Sequence, residues 1–437
     1  MSYNGIKFTL ILIKMEWKCM GKIRKLLSDS EFTQYVDIVA NAYTGIITNT
    51  PQEKKNYKEF LINKQHNDPA VDYYGLYREQ QLIAGMRIHY YEMNLHAKKV
   101  EVGGVGLVAV DLLHKKERAA KELIVQFLQM FKEKEVHLVA LYPFRPDFYK
   151  YMGFGYGPNM YQYFLEPTSF PKGPTKSHLT YAHEDDRKLL EACYNRFVQD
   201  RHGMFYKTEH EWQALFKNAE NRIVTFKKGN QVNGYLVFTF RKMSETNFMH
   251  NKLVIKEWIY ETPEALLTLS TFLNSQADQV YRIEWNTQEE NIRFLVHDAR
   301  NDSAELIPSV YHPSATSAIG LMYRIINVKG FIQQLSHCKF NTADLKWKLI
   351  VNDSFFEENQ GEYVLQVKNE LLEIIEEDDY EVEVKIDISE LSSLFMGVVT
   401  LKELYMYSKV AISDSTYVNV LNSIFTTFQK PICMTAF

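Results

Sequence analysis

A strand, a basic turn, a helix and a second strand follow one another between positions 100 and 155, and this pattern constrains the fold most. Val105 to Val110 is a continuous apolar run, as expected for a buried strand of a mostly parallel sheet. Apolar residues then recur at helical spacing, at Leu123, Ile124, Phe127, Leu128 and Phe131. Between strand and helix, His114 to Arg118 places cations where helix N–H groups emerge unpaired. The pattern therefore predicts an anion site, for a group such as pyrophosphate.

This pattern resembles the Gcn5-related N-acetyltransferases (GNATs), whose motif is an apolar strand, a basic loop of the form Arg/Gln-x-x-Gly-x-Gly/Ala and a helix. Val108 and Val110 match the strand positions that pair with the pantetheine arm of acetyl-CoA. Lys115 and Lys116 match the basic loop positions, and Ala120 matches the last small residue. The usual first Gly is Arg118 here. A bulky residue disfavours a positive φ at that position, whereas its guanidinium adds charge beside the phosphates.

The resemblance implies acetyl-CoA as cosubstrate and no metal. The residues that it assigns to acetyl-CoA are Val108, Ala109, Val110, Lys115, Lys116, Glu117, Arg118, Ala119, Ala120, Lys121, Phe144 and Arg145. Gly103, Gly104 and Gly106 resemble a nucleotide-binding fingerprint, but they precede the strand instead of following it. We expect a bulge or a turn there.

The segment 140–157, ALYPFRPDFYKYMGFGYG, is similar to the signature of one GNAT subfamily, the enhanced intracellular survival (Eis) acetyltransferases. In that family a Tyr before an aromatic-Gly element is the general acid, and Tyr149 occupies this position. The motif offers no nearby His or Glu as base. The resemblance implies that the α-carboxylate of the last residue, Phe437, enters the active site. Because an α-carboxylate has a pKa near about 3.5, we expect it to orient the amine or to act through water.

The same resemblance implies an amine substrate, either an aminoglycoside-like polyamine or a lysine side chain, and a hexameric assembly. Such substrates need an acidic, roomy pocket. Candidate lining residues on the first helices are the acids Glu31 and Asp37 and the aromatics Phe32, Tyr35 and Tyr43. The best-known member of the family has an acid before its terminal Phe, where this chain has Ala436, so its affinity for aminoglycosides is in question.

Bulk properties agree with a multidomain cytoplasmic protein. A length of 437 residues exceeds what one hydrophobic core supports. A net charge of −4 argues against nucleic acid as a partner. The four cysteines (Cys19, Cys193, Cys338 and Cys433) have no metal-ligand spacing, which favours reduced thiols. The apolar run from Ile6 to Ile13 is too short to cross a membrane.

The chain therefore divides into four parts of an α+β fold. Residues 1–19 are an N-terminal extension, 20–165 a catalytic GNAT domain, 177–310 a degenerate GNAT-like domain and 315–437 a sterol-carrier-like domain. Within the catalytic domain, the pattern predicts a first helix at 30–44 and, among its strands, 97–102, 105–110 and 154–164. The second domain has a good helix start at Thr262 and Pro263, but no cationic loop, and Glu264 would repel phosphate. We expect it to be structural.

The stretch between Asp353 and Glu390 holds fourteen acids and two lysines, and it is either a solvated acidic face or a surface that attracts polycationic substrates.

Two rival functions stay open at this point. One is a CoA-binding sensor or scaffold without turnover, and the other is a lipid-binding module led by the third domain.

Overall fold

The computed structural model describes residues 21–45, 47, 49–247, 250–301, 303, 305–341, 343, 345–426, 429–435 and 437. The predicted N-terminal extension 1–19 lies outside this part of the chain. Three β-sheets organise the described residues into a mixed α+β fold, which confirms the predicted class. None of the described helices is long and apolar enough to cross a membrane.

The first region begins with two capped helices beside an antiparallel sheet. Its helices are α1 (Asp29–Ala42) and α2 (Pro51–Asn67), and its first strands are β1 (Lys22–Lys25), β2 (Val71–Arg78), β3 (Gln81–Leu95) and β4 (Lys98–Val110). Ser28 and Glu31 form a capping box that fixes the start of α1. The two strands predicted at 97–102 and 105–110 are one continuous strand, β4.

The chain then forms α3 (Ala119–Glu133), β5 (Leu138–Leu141), α4 (Pro146–Tyr151) and β6 (Gly155–Tyr156). The apolar face of α3 is buried on the sheet, at Leu123, Phe127 and Phe131. Gly103 of β4 allows this close packing, because a Cβ there would lie 2.8 Å from the Phe131 ring.

The second region surrounds a seven-stranded sheet in the order β13-β7-β12-β11-β10-β9-β8. Its elements are β7 (Met160–Leu165), β8 (Leu179–Tyr181), α5 (Arg187–Gln199), α6 (Glu209–Lys217), β9 (Arg222–Lys228), β10 (Gln231–Lys242), β11 (Asn251–Tyr260), α7 (Pro263–Asn274), β12 (Val280–Thr287) and β13 (Ala315–Ala318). Its core contains Trp258 and Trp285, with ring centroids 4.9 Å apart.

The first two sheets exchange strands. The strand predicted at 154–164 is divided: β6 stays in the first sheet, whereas β7 pairs with β12 and β13 of the second. In return β14 (Met322–Ile325) crosses from the second region and pairs between β5 and β6. The first sheet therefore has the order β1-β2-β3-β4-β5-β14-β6. The predicted boundaries at 165 and 310 follow chain order and miss this exchange, because strand pairing is non-local.

The third region has a five-stranded sheet in the order β17-β16-β15-β18-β19. Its elements are α8 (Val328–Gln334), β15 (Lys346–Asn352), β16 (Gly361–Lys368), β17 (Leu371–Ile375), β18 (Val382–Asp387), α9 (Ile388–Phe395), α10 (Leu401–Met406), β19 (Val410–Ile412) and α11 (Val418–Phe425). Its hydrophobic core is continuous with the first sheet, since Trp347 and Phe395 share one cluster with Val102 and Leu138.

The C-terminal tail leaves the third region and passes over the second to reach the first. The Ile432 N–H donates to the His202 carbonyl at 2.8 Å. The Cys433 N–H donates to Oε1 of Gln288 at 2.6 Å. The Tyr142 hydroxyl, on the first region, then donates to the Thr435 carbonyl at 3.0 Å. These bonds direct the chain end toward the first sheet.

Candidate active site

The first sheet opens between β4 and β5. The two strands pair in parallel only at Gly103–Val139 and Gly104–Ala140. β4 then continues to Val110, while β5 ends at Leu141. A bulge follows Gly106, where Leu107 has a φ of 48°. On the side that faces β5, the backbone groups of β4 beyond Gly104 therefore meet a gap in the sheet, whereas on the other side β4 stays paired with β3.

Two tyrosines of the first helices hold the bulged part of β4. The Tyr35 hydroxyl donates to the Leu107 carbonyl at 2.5 Å, and the Tyr43 hydroxyl donates to the Val108 carbonyl at 2.7 Å. Val108 and Val110 are half-buried and pack against the core under α3. The strand predicted to meet the pantetheine arm is thus fixed beside the gap.

The basic loop adopts the left-handed backbone that its family motif gives to glycine. Lys116 has a φ of 67° and Arg118 a φ of 64°. Arg118 is the N-cap of α3, and no side chain caps this helix. A left-handed conformation costs a bulky residue about 1 kcal/mol or more, and the rest of the loop compensates for this cost. Arg118 therefore has a backbone conformation that glycine would adopt at a lower cost.

The charges around this loop are arranged for an anion. Lys115 and Lys116 are exposed, next to the uncapped start of α3. Glu117 is the one acid in the loop; it pairs with Arg78 at 2.8 Å, and its carboxylate lies 3.0 Å from Nδ1 of His114. The hydrogen bond from His114, together with Arg78, lowers the pKa of Glu117.

Other residues assigned to acetyl-CoA differ in what they could contribute. Ala109 and Ala119 are buried, so that only their backbone could meet a ligand. The Lys121 ammonium lies 5.5 Å from the centre of the Phe355 ring. Phe144 is exposed, and its ring lies 6.0 Å from Tyr43. Ala120 is half-buried behind the loop, and Arg145 forms a hydrogen bond with Asp147 at 3.0 Å.

Tyr149 lies on the short helix α4, at the side of the gap. It is buried between Phe148 and Phe154 and shares a hydrophobic cluster with Val108 and Val110. Burial raises the pKa of Tyr149 well above its usual value, and Tyr43 adds to this effect. Its hydroxyl forms no hydrogen bond with any residue that the structure describes. A protonated, unengaged phenol at this position is suited to donate a proton.

Phe437 lies on the same sheet, over two glycines of β4. A Cβ on Gly104 would lie 3.1 Å from its ring, and a Cβ on Gly106 would lie 3.4 Å from its carboxyl carbon. Its ring is enclosed by the aromatic rings of His89, Tyr91, Tyr142 and Phe205. The glycines were expected to form a bulge or a turn. Instead Gly104 and Gly106 make room for the chain end and Gly103 for the Phe131 ring, and the bulge begins one residue after Gly106.

The sequence predictions missed the polar side chains around Phe437. Arg87, His89 and Tyr91 alternate along β3 and so share one face, and Tyr73 of β2 is paired directly with Arg87. Burial lowers the pKa of His89 well below its usual value, so this imidazole is neutral. The spacing of two residues along β3, opposite the glycines of β4, is the signal that could have identified them.

The acids expected to line an amine pocket have other partners. Glu31 accepts a hydrogen bond from Tyr77 at 2.9 Å, and it also pairs with Arg24. Asp37 pairs with Lys54 at 2.7 Å. Both acids are therefore already paired with cations, and their role as pocket residues stays a prediction. Phe32 is a core residue, whereas Tyr35 and Tyr43 do lie at the site.

The corresponding helix of the second region is blocked at its start. The Thr262 side chain accepts a hydrogen bond from the Ala265 N–H at 3.1 Å. Glu264 lies in the first turn and pairs with Lys228 at 2.6 Å. In the described residues, no group of three or more His, Cys, Asp or Glu side chains is placed to hold a metal ion.

Comparison with known families assigns each region. Residues 22–157 match one acetyltransferase (GNAT) domain model, residues 203–325 match a second, and residues 328–434 match a sterol carrier protein domain. No curated protein matches the chain by sequence.

Solved structures with the same fold cover nearly the whole chain. A GCN5-related N-acetyltransferase from Anabaena variabilis is 19% identical with a TM-score of 0.77, over 95% of this chain and 100% of that one. A probable N-acyltransferase from Enterococcus faecalis is 17% identical with a TM-score of 0.73, over 95% and 99%. Eis1 from Mycobacterium abscessus is 16% identical with a TM-score of 0.72, over 95% and 100%. The chain therefore belongs to the GNAT acyltransferases, with tandem GNAT domains and a C-terminal sterol carrier domain in an Eis-like arrangement.

Proposed function

We propose that this protein transfers the acetyl group of acetyl-CoA to a primary amine in its first GNAT domain, with Tyr149 as general acid and the Phe437 carboxylate as base. The observation that carries this proposal is the position of the chain end. Phe437 reaches the first sheet from another domain, and its carboxyl carbon lies over Gly106, two residues before Val108.

The residues around the gap fit acetyl-CoA. The uncapped start of α3, with Lys115 and Lys116 beside it, is a site for the pyrophosphate. The open edge of β4 offers backbone groups to the pantetheine arm and to the thioester oxygen. When bound there, acetyl-CoA supplies the acetyl group as a thioester. Thr262 and Glu264 occupy the equivalent helix start in the second domain, which supports a structural role for that domain.

Two groups of this chain handle the protons. As the substrate nitrogen bonds to the acetyl carbon and the carbon–sulfur bond breaks, Tyr149 donates its phenolic proton to the departing sulfur. The Phe437 carboxylate attracts the incoming amine and accepts its excess proton, directly or through one water. Burial keeps Tyr149 protonated near neutral pH, because it raises the pKa of this phenol.

Family resemblance suggests the remaining features of the function. The amine belongs to an aminoglycoside-like polyamine or to a lysine side chain, and the assembly is a hexamer, which a native mass measurement tests. We place the enzyme in the cytoplasm. Cys193, Cys338 and Cys433 support this location, since all three are free and buried, as in a reducing compartment.

Release of CoA thiol from acetyl-CoA, measured against a panel of amines, tests the proposal. We expect thiol release that depends on the amine and an acetylated product of matching amount. CoA binding without turnover would favour the sensor, and lipid binding with neither would favour the carrier. The third domain gives the carrier little support, because its apolar interior is continuous with the core of the first domain.

A further inference from the structure

Three buried polar atoms on the side of β2 and β3 that carries Arg87 have no hydrogen bond of good geometry to a described residue, although the Tyr73 hydroxyl lies close enough to Arg87 to interact with it. They are Nε of Arg87, Nε2 of His89 and the hydroxyl of Tyr73. All three belong to one face of β2 and β3, where Tyr73 and Arg87 are directly opposite each other. An orphaned buried polar group costs about 1–3 kcal/mol, so a polar ligand that reached these three atoms would be stabilised by them.

The Arg87 guanidinium lies next to the proposed base without pairing with it. A Cβ on Gly106 would lie 3.3 Å from Nη2 of Arg87 and 3.4 Å from the Phe437 carboxyl carbon. Nevertheless, Arg87 forms no ion pair with any carboxylate in the described part of the chain. A positive and a negative group therefore stand side by side, and both remain available.

The surroundings of Arg87 strengthen its attraction for an anion. Tyr35, Tyr57 and Tyr73 stand around it, and burial raises the pKa of each of these phenols. They are therefore neutral, and their rings reduce access of water to the guanidinium. In such an environment a charged pair interacts more strongly than in bulk water.

Other ionisable groups near His89 and Tyr91 already have partners. Lys64 lies 3.7 Å from Asp68, and both belong to the first domain. Glu211 of the second domain accepts a hydrogen bond from the Thr208 N–H at 2.7 Å, and burial raises its pKa. Arg87 is the cation of this face that its neighbours leave unneutralised.

We propose that Arg87, with Tyr73 beside it, binds a carboxylate of the amine substrate, so that the enzyme acetylates amines of the amino-acid type in preference to polycations. This inference rests on the proposed acetyl transfer to a primary amine, and it replaces the polyamine suggested by family resemblance with an amine that carries a carboxylate. The Phe437 carboxylate attracts the ammonium end, and Arg87 attracts the carboxylate end. A polyamine without an anionic group would instead meet a repulsive guanidinium.

Matched pairs of amines that differ only in the carboxylate test this specificity. The pairs are L-lysine with cadaverine, and L-phenylalanine with 2-phenylethylamine. We expect kcat/KM for at least one carboxylate-bearing member to exceed that of its partner by about tenfold or more, as for one charge-assisted hydrogen-bonded pair. Arg87→Gln should abolish most of this ratio, because the loss in kcat/KM should be much larger for the carboxylate-bearing member of each pair than for its carboxylate-free partner. Arg187→Gln, at an exposed ion pair of the second domain, is the control and should keep the ratio.

Two results would overturn the inference. One is equal or better use of the carboxylate-free amines by the unaltered enzyme. The other is an equal loss on both members of a pair in Arg87→Gln, which would make Arg87 a positioning residue for Phe437. Calorimetric binding of the same four amines to the unaltered protein and to Arg87→Gln separates this inference from the proposed function. Absence of turnover would refute the proposed function, and loss of carboxylate-selective binding in the variant would still support the inference.

Discussion

At the scale of single residues, the site combines groups that the sequence identifies with groups that it hides. Tyr149 was predicted from its motif and lies beside the gap in the sheet, buried and without a hydrogen bond to any described residue. Arg87 and His89 carry no motif, and only their spacing on β3 opposite the glycines of β4 brings them together. A motif records local chain order, whereas the face of a sheet is defined by pairing with distant residues.

Replacement of Tyr149 by Phe removes the proposed proton donor. We expect kcat to fall by about tenfold to a hundredfold or more, since the departing sulfur must then leave without a positioned acid. The KM for acetyl-CoA should change little. Steady-state thiol release measures both constants. Tyr151→Phe, on the same helix but exposed, is the control and should retain full activity; an unchanged rate in Tyr149→Phe would remove this residue from the mechanism.

Arg118→Gly tests the cost of the left-handed loop. Since Arg118 has a φ of 64°, glycine should relieve strain and raise the free energy of unfolding by about 0.5–1 kcal/mol, even after the entropy of the unfolded chain is counted. The control is Lys115→Gly, because Lys115 has a φ of −64° and glycine there should lower stability. Urea denaturation measures both. Equal destabilisation by the two changes would contradict the account.

At the scale of helices and strands, local sequence patterns predicted the helix at 30–44 well, but they did not predict which strands pair with each other. Helix α1 was predicted at 30–44 and extends over Asp29–Ala42. The prediction was close because Ser28 is a favourable N-cap residue that can be recognised in the sequence. The segment 154–164 reads as one strand, yet the chain passes from the first sheet to the second between Tyr156 and Met160. Its apolar pattern fits either sheet, so only the tertiary structure could decide.

A buried ion pair fixes the exchanged strand β14 to the third domain. Nη2 of Arg324 lies 2.7 Å from Oδ2 of Asp353, and both side chains are fully buried. Burial lowers the pKa of Arg324, while Asp353 opposes this shift. Asp353→Asn should therefore reduce the free energy of unfolding by about 3–5 kcal/mol, since it leaves a buried cation without its counterion.

Urea denaturation at neutral pH measures the effect of Asp353→Asn. Asp378→Asn, in an exposed part of the same acidic stretch, is the control and should change stability by less than about 0.5 kcal/mol. A similar small change for both variants would show that the pair does not hold the strand.

The acidic stretch between Asp353 and Glu390 is not a uniform solvated face, because Asp353 and Glu390 are structural and pair with Arg324 and Lys150.

At the scale of the whole molecule, histidines join the three domains. His96 of the first domain stacks on His202 of the second at 3.7 Å, and His202 donates to the Met396 carbonyl of the third at 3.2 Å. Burial lowers the pKa of His96 to about 4. A hydrogen bond with the backbone of Phe395 opposes this shift, and the nearby His337 adds to it. Burial also lowers the pKa of His202, and His96 adds to this shift.

These shifts predict acid sensitivity. The unfolded chain binds protons at these histidines below about pH 6.5, where the folded protein does not, so stability is full above that pH. It should fall by up to about 1.4 kcal/mol per pH unit for each histidine as the pH decreases toward 4. Urea denaturation at pH 7.5, 6 and 5 measures this slope. His96→Gln should reduce it, and an identical slope in that variant would refute the assignment.

Domain order and family were predicted from sequence, and both are confirmed by the family models. The path of the tail was predicted only through family resemblance, because no periodicity connects Phe437 with Gly106. Its contacts with His202, Gln288 and Tyr142 form only when all three domains are folded. In the proposed mechanism, catalysis in the first domain therefore depends on the third domain to deliver the chain end.

One added glycine after Phe437 tests this dependence most directly, because it leaves the Phe437 ring in place and converts its carboxylate into an amide. The account predicts that kcat for acetyl transfer falls by about a hundredfold or more, while the free energy of unfolding and the KM for acetyl-CoA stay nearly constant. An extended protein that turns over at the rate of the original chain would contradict the central claim.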